Sequence, residues 1–349
     1  MLFVRLILIP FAFVYGLIIS LKNLFYKIGI YNTTDFDIPI ICVGNLSFGG
    51  TGKTPHIEYI IRLLQQDFNI AVLSRGYRRK TKGYFFADEN CTASTIGDEP
   101  FQIKNKFKNV AVAVSENRVL GVPELLGDAT QTQVILMDDG FQHRAIKAGL
   151  NVLLTDYFRL FTRDFIAPSG TLREFRSAYK RAQIIIVTKC PETLSDTEQQ
   201  KIISEIAPLP SQKVFFTYQT YDTPVGIFNN DFIADKQTDI LLFAGIANTY
   251  TLEEHLKTEF NSVTSVRFAD HKEYSEVVLN AIIQKFQQID SKNKILMTTE
   301  KDAVKLRSPE FATILADIPI FYQPMRIEFF ESSKSDFNSQ IINYVAQPN

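Results

Sequence analysis

Cysteine is scarce in this chain of 349 residues, and Cys42, Cys91 and Cys190 stand far apart with no C-x-x-C pair among them. That spacing argues against a disulfide framework or a zinc site, and a reducing compartment is the natural setting. An excess of charge of either sign is also missing. The 37 basic residues meet 38 acidic ones, so no bulk attraction to nucleic acid is expected. There is no internal repeat of fixed period and no low-complexity tract. The remaining composition, 46% hydrophobic and 21% charged, suits a packed globular enzyme rather than a disordered chain. The length is enough for two domains.

The most informative segment is Ser47-Phe-Gly-Gly-Thr-Gly-Lys-Thr54, which directly follows the apolar run Ile38–Val43. A strand that enters a glycine-rich turn and then Gly-Lys-Thr is the phosphate-binding P-loop layout. Small residues let consecutive amides curl around a phosphate, and the following helix directs its positive end at it. Lys53 can then reach the β- and γ-phosphates, and the Thr54 hydroxyl can bind Mg²⁺. Ser47 replaces the usual first glycine, while Gly49, Gly50 and Gly52 still supply the flexible turn. A nucleoside triphosphate is the expected ligand; the bland alternative is a glycine-rich turn that binds nothing.

Between Arg5 and Lys22 the chain carries an uncharged, mostly apolar run that includes Phe11, Phe13, Leu17 and Ile18. Its sixteen residues would span roughly 24 Å as a helix, short of a hydrocarbon core of roughly 30 Å. Pro10 would kink that helix or start it late. No small-residue cleavage site follows, which argues against a secretory signal. The remaining alternatives are a buried core helix and the favoured reading, a membrane-associated helix with Lys22 and Lys27 near the cytoplasmic headgroups.

Beyond it, short apolar runs alternate with helical patterns. Ile40–Val43, Ile70–Leu73, Val110–Val114, Val134–Met137, Val152–Leu154 and Ile184–Val187 read as strands buried on both faces, and Lys53–Gln65 as a helix. That alternation predicts a parallel sheet covered by helices. A change of pattern near residues 213–225 suggests a junction. A second series follows, with strands at 241–244, 263–268, 295–298 and 318–322 and helices at 274–286 and 330–345; Thr251-Leu-Glu-Glu254 reads as a capping box. The expectation is an α/β protein: a P-loop NTPase-type α/β/α sandwich with a second, smaller α/β domain and an N-terminal membrane-associated helix. The expected divisions are residues 1–30, 31–220 and 221–349.

Several further motifs carry chemistry. Val134–Met137 ends in Asp138-Asp139-Gly-Phe-Gln142-His143, and an aspartate at such a strand end can hold the Mg²⁺ shell. Adjacent side chains leave a strand in opposite directions, so Asp138 or Asp139, but not both, should face the metal directly. Gly97-Asp98-Glu99-Pro100 opens a helix; its carboxylates suit either a first turn or a base for an accepting hydroxyl. Ser74-Arg75-Gly-Tyr77-Arg78 borders the ligand crevice if it follows a parallel strand, although a charge run is usually a solvated face. Arg173, in Pro168-Ser-Gly-Thr-Leu-Arg-Glu174, can neutralise charge on a transferring phosphoryl group. His56 and His255 read as surface or packing residues, whereas His143 and His271 sit at strand ends, where clefts form.

Taken in order, S-F-G-G-T-G-K-T-P, S-R-G-Y-x-R, G-D-E-P, D-D-G-F-Q-H-R, P-x-G-x-L-R-E and F-x-D-H resemble the tetraacyldisaccharide 4′-kinase family of Gram-negative bacteria. The resemblance runs from the apolar N-terminus to about Asp302. It implies two α/β/α domains around a cleft and transfer of the ATP γ-phosphate to the 4′-hydroxyl of a tetraacylated glucosamine disaccharide 1-phosphate, giving lipid IVA. It implies ATP bound by Ser47, Phe48, Gly49, Gly50, Thr51, Gly52, Lys53 and Thr54. Mg²⁺ would lie among Thr54, Asp138, Asp139, Glu99 and Gln142. Asp98 would take the hydroxyl proton, His271 would orient Asp98, and Lys53 and Arg173 would offset phosphate charge. Arg75, Tyr77 and Arg78 would face the disaccharide. The partners implied are the acylated lipid and the cytoplasmic face of the inner membrane, with no nucleic acid and no obligate protein partner. Competing readings carry less of the sequence. A GTPase switch needs [NT]-K-x-D, and Thr188-Lys-Cys-Pro-Glu192 lacks the aspartate. A soluble metabolite kinase leaves the apolar N-terminus unexplained.

Overall fold

The structure, a computed structural model, describes residues 2–228, 232–246, 248–269 and 272–347. Two units emerge, one of Met1–Gln219 with Ile327–Asn349 and one of Thr220–Arg326. The second domain expected at 221–349 therefore ends earlier, because the chain returns to the first unit after Arg326.

In the first unit, helix α1 (Leu2–Lys27) precedes β1 (Ile40–Asn45), α2 (Lys53–Leu64), β2 (Ile70–Ser74) and β3 (Phe85–Phe86). Next come α3 (Ala93–Ile96), α4 (Asp98–Lys106), β4 (Ala111–Val114), α5 (Arg118–Asp128), β5 (Val134–Asp138), β6 (Leu150–Asp156), β7 (Ile184–Cys190), α6 (Asp196–Ile206) and β8 (Lys213–Tyr221). The sheet order is β8-β7-β6-β1-β5-β2-β4-β3, parallel from β8 to β4, with the short β3 antiparallel at the edge. Continuous aliphatic runs make this possible, since β1, β2 and β5 are buried along their whole length. The connection after β1 goes to one side of it and the chain later returns to the other, at β6. The crevice at the carboxyl ends of β1 and β5 is thus the expected ligand position.

The second unit holds β9 (Val225–Gly226), β10 (Asp239–Ala244), α7 (Tyr250–Glu259), β11 (Ser262–Arg267), α8 (Glu276–Gln287), β12 (Lys294–Thr299), α9 (Glu300–Leu306), α10 (Pro309–Leu315) and β13 (Ile320–Gln323). Its five-stranded sheet has the order β11-β10-β12-β13-β9, parallel except for β9. Leu241, Phe243, Leu279, Ile282, Leu296 and Ile320 form much of its core. The capping box expected at Thr251 does not form, and no side-chain bond caps the helix. Helix α7 begins at Tyr250 with Thr249 as its cap residue, and the Thr249 hydroxyl bonds Glu253 at 2.5 Å.

Strand β14 (Met325–Phe329) and helix α11 (Glu331–Ala346) then rejoin the first unit, with β14 beside β8. The sequence reading missed β14, although the alternation of apolar and charged residues in Met-Arg-Ile-Glu-Phe is itself the pattern of a half-buried strand. Phe329 and Phe337 stack at 4.2 Å and Phe215 joins them edge-on, an aromatic lock that holds the returning segment. The Tyr344 hydroxyl both donates to the carbonyl of Ile40 and accepts from its amide, at 3.1 Å each.

Helix α1 is longer than the apolar run suggested. Its 26 residues span about 39 Å, and Pro10 lies inside it without ending it. One stripe docks on the first unit: Ala12 and Gly16 are buried, and Asn23 donates to Glu174 at 2.7 Å. The opposite face leaves Phe11, Phe13, Val14, Leu17 and Ile18 more than half exposed. A wholly buried core helix is therefore ruled out, and a helix long and apolar enough to cross a membrane is present.

Phe141 packs tightly on Gly44 of β1, where a Cβ would lie 2.6 Å from Phe141 Cβ and 3.0 Å from its backbone nitrogen. Gly44→Ala should cost about 1–3 kcal/mol through overpacking that backbone cannot relieve. Urea unfolding followed by far-UV circular dichroism checks this, and an unchanged midpoint would refute it.

Candidate active site

The loop 47–54 joins the end of β1 to the start of α2, and its geometry follows from its glycines. Gly49 and Gly52 have φ of 110° and 85°, a region that side-chain-bearing residues rarely enter. Gly52 then caps α2 in the left-handed conformation. Asn45 sets the base of the loop by donating to the Thr51 hydroxyl at 2.9 Å. From outside, the segment 171–173 runs antiparallel to the loop entry: Phe48 N donates to Thr171 O at 2.7 Å and Arg173 N to Leu46 O at 2.6 Å.

That pairing carries Arg173 to the end of β5. Its Nη1 donates to both oxygens of Asp139, at 2.9 and 3.0 Å, and to Gln142 Oε1 at 3.2 Å. Lys53 Nζ lies 3.7 Å from Asp139 Oδ1. Gln142 Nε2 closes the network on Asn45 O at 2.9 Å. Burial pushes the Asp139 carboxyl up, but Lys53 and Arg173 outweigh it and hold its pKa below the usual carboxylate value.

Asp138 behaves differently. It is buried, its Oδ2 accepts from the Ser74 hydroxyl at 3.2 Å, and its Oδ1 has no hydrogen-bond partner. Burial first, then the charge of Asp139, raises its pKa to about 6, and the charge of Glu99 adds to that rise. An orphaned buried carboxylate oxygen beside a phosphate loop fits one direct ligand of Mg²⁺, an ion usually held by one or two carboxylates plus substrate oxygens and water. Among the described residues no group of three or more His, Cys, Asp or Glu forms a self-sufficient metal site.

Two further predicted segments pack together beside Asp138. Gly76 and Gly97 are both left-handed, and each has a site for a Cβ within 3.0 Å of the other loop's backbone, at Ile96 O and Tyr77 O. Ser74-Arg-Gly-Tyr-Arg78 and Gly97-Asp98-Glu99 are therefore packed together by glycine. Tyr77 is exposed, and the Arg78 guanidinium lies 5.6 Å from its ring centre. Asp98 and Glu99 form the first turn of α4. Arg75 is exposed on the same loop.

His143 is half-buried with its Nε2 unpartnered; burial, then Arg118, lowers its pKa to about 4. His271 lies outside the described residues, as does Asp270. His255 stacks on Tyr221 at 4.4 Å, a packing role. The sequence reading missed Arg118. Its buried guanidinium donates from Nη2 to Asp138 O at 2.8 Å and Asp139 O at 3.3 Å, bracing a turn in which Asp139 has φ of 49°. An arginine at a helix start gives no sign in sequence that it faces inward.

A P-loop, an orphaned strand-end aspartate and two cations on its neighbour define a nucleotide-dependent phosphotransferase site. The comparisons narrow the class. The family model for tetraacyldisaccharide-1-P 4′-kinase matches residues 4–346. A tetraacyldisaccharide 4′-kinase from Flavobacterium johnsoniae is 43% identical over 347 residues, covering 98% of each chain. One from Bacteroides thetaiotaomicron is 39% identical, covering 97% of this chain and 93% of the relative. Among solved structures, LpxK from Aquifex aeolicus in complex with ATP superposes with a TM-score of 0.74 at 26% identity, covering 99% of this chain and 100% of that one. The chain belongs to the tetraacyldisaccharide-1-P 4′-kinase family.

His56, expected on the surface or in packing, is buried in α2. Its Nδ1 bonds Gly52 O at 2.7 Å and its Nε2 pairs with the Thr217 hydroxyl at 3.1 Å. Burial lowers its pKa from 6.5 to about 4. Between those values the unfolded chain holds a proton that the native ring does not, so stability present above pH 6.5 is lost as pH falls toward 4. The loss is about 3 kcal/mol. His56→Asn should flatten this part of the stability-against-pH curve, measured by urea unfolding at stepped pH; an identical slope in both proteins would contradict a neutral buried His56.

Proposed function

We propose that this protein transfers the γ-phosphate of ATP to the 4′-hydroxyl of a tetraacylated glucosamine disaccharide 1-phosphate, giving lipid IVA. It is an ATP-dependent lipid kinase of lipid A biosynthesis. The observation that carries the assignment of residues is the convergence of Lys53, Arg173, Asp138 and Asp139 at the mouth of the loop 47–54.

Phosphoryl transfer asks mainly for positioning and charge neutralisation. The amides of Ser47–Thr54 would cradle the ATP phosphates, and Lys53 would exchange Asp139 for phosphate oxygens. Arg173, which bonds Asp139 and Gln142, would offset charge on the transferring group. Asp138 and the Thr54 hydroxyl would hold Mg²⁺, with Asp139, Glu99 and Gln142 around it. When bound, the ion draws charge from the phosphate oxygens. Asp98 would accept the proton of the 4′-hydroxyl. Its pairing with His271 rests on the sequence resemblance, and Arg75, Tyr77 and Arg78 would contact the disaccharide.

The acylated acceptor stays in a bilayer, so the enzyme must work at its surface. The outward face of α1 supplies the anchor on the cytoplasmic face of the inner membrane. Each large apolar side chain moved from water into lipid is worth about 1.5–3 kcal/mol.

With γ-labelled ATP, Mg²⁺ and a panel of lipid and soluble acceptors, label should appear on the disaccharide lipid. Lys53→Ala should abolish transfer without loss of fold, and Asp98→Ala should lower kcat about 10²–10⁴-fold; an effect of Asp98→Ala on KM alone would make it a binding residue. Combining Asp98→Ala with His271→Ala should cost little beyond either change, whereas fully additive losses would break the pair. For the anchor, replacing Phe11, Phe13, Leu17 and Ile18 with serine should release the protein from vesicles in a flotation assay. Undiminished flotation would show that α1 is not the anchor.

A further inference from the structure

Five consecutive carbonyls of the phosphate loop each accept a hydrogen bond from a side chain. Arg159 Nη2 donates to Phe48 O at 3.4 Å, Asn45 Nδ2 to Gly49 O at 3.3 Å and Lys189 Nζ to Gly50 O at 2.6 Å. Thr188 Oγ1 donates to Thr51 O at 3.0 Å, and His56 Nδ1 bonds Gly52 O at 2.7 Å. A loop that wraps an anion must turn its amides inward and its carbonyls outward, because each inward carbonyl would set a negative dipole against phosphate. In this chain the outward orientation is enforced from behind.

Lys189 makes the shortest of these bonds and the only one from a formally charged ammonium. Its Nζ also lies 2.7 Å from Asp156 Oδ2, so the ammonium bridges a fixed carboxylate and the loop. Both residues come from the carboxyl ends of neighbouring strands, where β6 Asp156 registers with β7 Thr188. Lys189 itself has φ of 58°, a costly conformation for a residue with a side chain, and it lies within the register shift between Val187 and Cys190 in the pairing of β7 with β8. The plain alternative is a surface ion pair worth little. Two features speak against it: the side chains are only 22% and 14% exposed, and the ammonium's second contact is a loop carbonyl.

We infer that Lys189, steadied by Asp156, is a positioning residue for ATP: it holds the Gly50 carbonyl outward so that the loop amides converge before the nucleotide arrives. Thr188 does the same for Thr51 with a neutral donor. This rests on the reading of Ser47–Thr54 as the ATP phosphate loop. The residues belong to the Thr-Lys-Cys-Pro-Glu stretch that fails the guanine-recognition pattern. Its lysine serves the loop and needs no aspartate two positions on.

The test uses the full-length protein in detergent and isothermal titration with ATP and with inorganic tripolyphosphate. Lys189→Met should weaken ATP binding about 10–100-fold, the effect of losing a charge-assisted hydrogen bond, and should weaken tripolyphosphate binding by the same factor. Lys189→Arg should recover most of the affinity, and Thr188→Val should lose less than Lys189→Met. Steady-state kinetics should show the defect chiefly in KM for ATP, with the thermal midpoint nearly unchanged. Unaltered ATP affinity in Lys189→Met would overturn the inference. So would a loss confined to ATP, which would place Lys189 against the base or sugar. If the parent protein bound neither probe, the phosphate-loop reading would fail first and take the clamp with it.

Discussion

Two carboxylates sit side by side at the end of a buried strand, and their mutual repulsion organises everything around them. Asp138 and Asp139 cannot both carry unpaired charge in so dry a place. The chain separates their fates by bending at Asp139, whose left-handed conformation turns its side chain to Arg173 and Lys53 while Asp138 stays beneath Ser74. Arg118 fixes the bend through the two carbonyls. Gly140 lets the turn press against Cys42 and Met137, where a Cβ would meet Met137 Cε at 2.7 Å and Cys42 Sγ at 2.9 Å. One aspartate is thus satisfied by protein cations. The other keeps an oxygen without a hydrogen-bond partner, the atom proposed to meet Mg²⁺.

The same economy links the phosphate loop to the N-terminal helix. The segment around Arg173 pairs with the loop entry on one side. On the other, the Tyr15 hydroxyl of α1 donates to Arg173 O at 3.2 Å, and Asn23 bonds Glu174, which Arg181 grips with two donors. A helix with one face on this segment and the other outward suits an enzyme whose acceptor lies in a bilayer. The apolar N-terminal helix and Arg173, the arginine proposed to neutralise charge, are neighbours through a handful of hydrogen bonds. Gly16 permits the close docking, since a Cβ there would fall 2.5 Å from Phe175 Cζ.

Much of the first unit was legible because buried parallel strands must be continuous aliphatic runs. Ile40–Val43 and Val134–Met137 could be read directly, and the loop between β1 and α2 follows from the stereochemistry of Gly49 and Gly52. The return of Ile327–Asn349 to the first unit was not legible. Nothing local in Met-Arg-Ile-Glu-Phe reveals that its partner is a strand more than a hundred residues earlier. Arg118, Lys189 and Asn45 were hidden for a related reason. Each acts on a backbone carbonyl, and a carbonyl has no sequence identity to match.

The sequence alone determined which chemistry is present, because glycine, lysine, threonine and paired aspartate at these spacings have few other uses. It also determined the alternation of apolar runs that makes an α/β protein, since that pattern is local. Only the tertiary structure decided which aspartate keeps an unpartnered oxygen, which face of α1 docks, and which side chains bond the carbonyls of the glycine-rich loop. Those outcomes depend on desolvation and on distances between residues remote in the chain, and neither quantity exists until the sheet has formed.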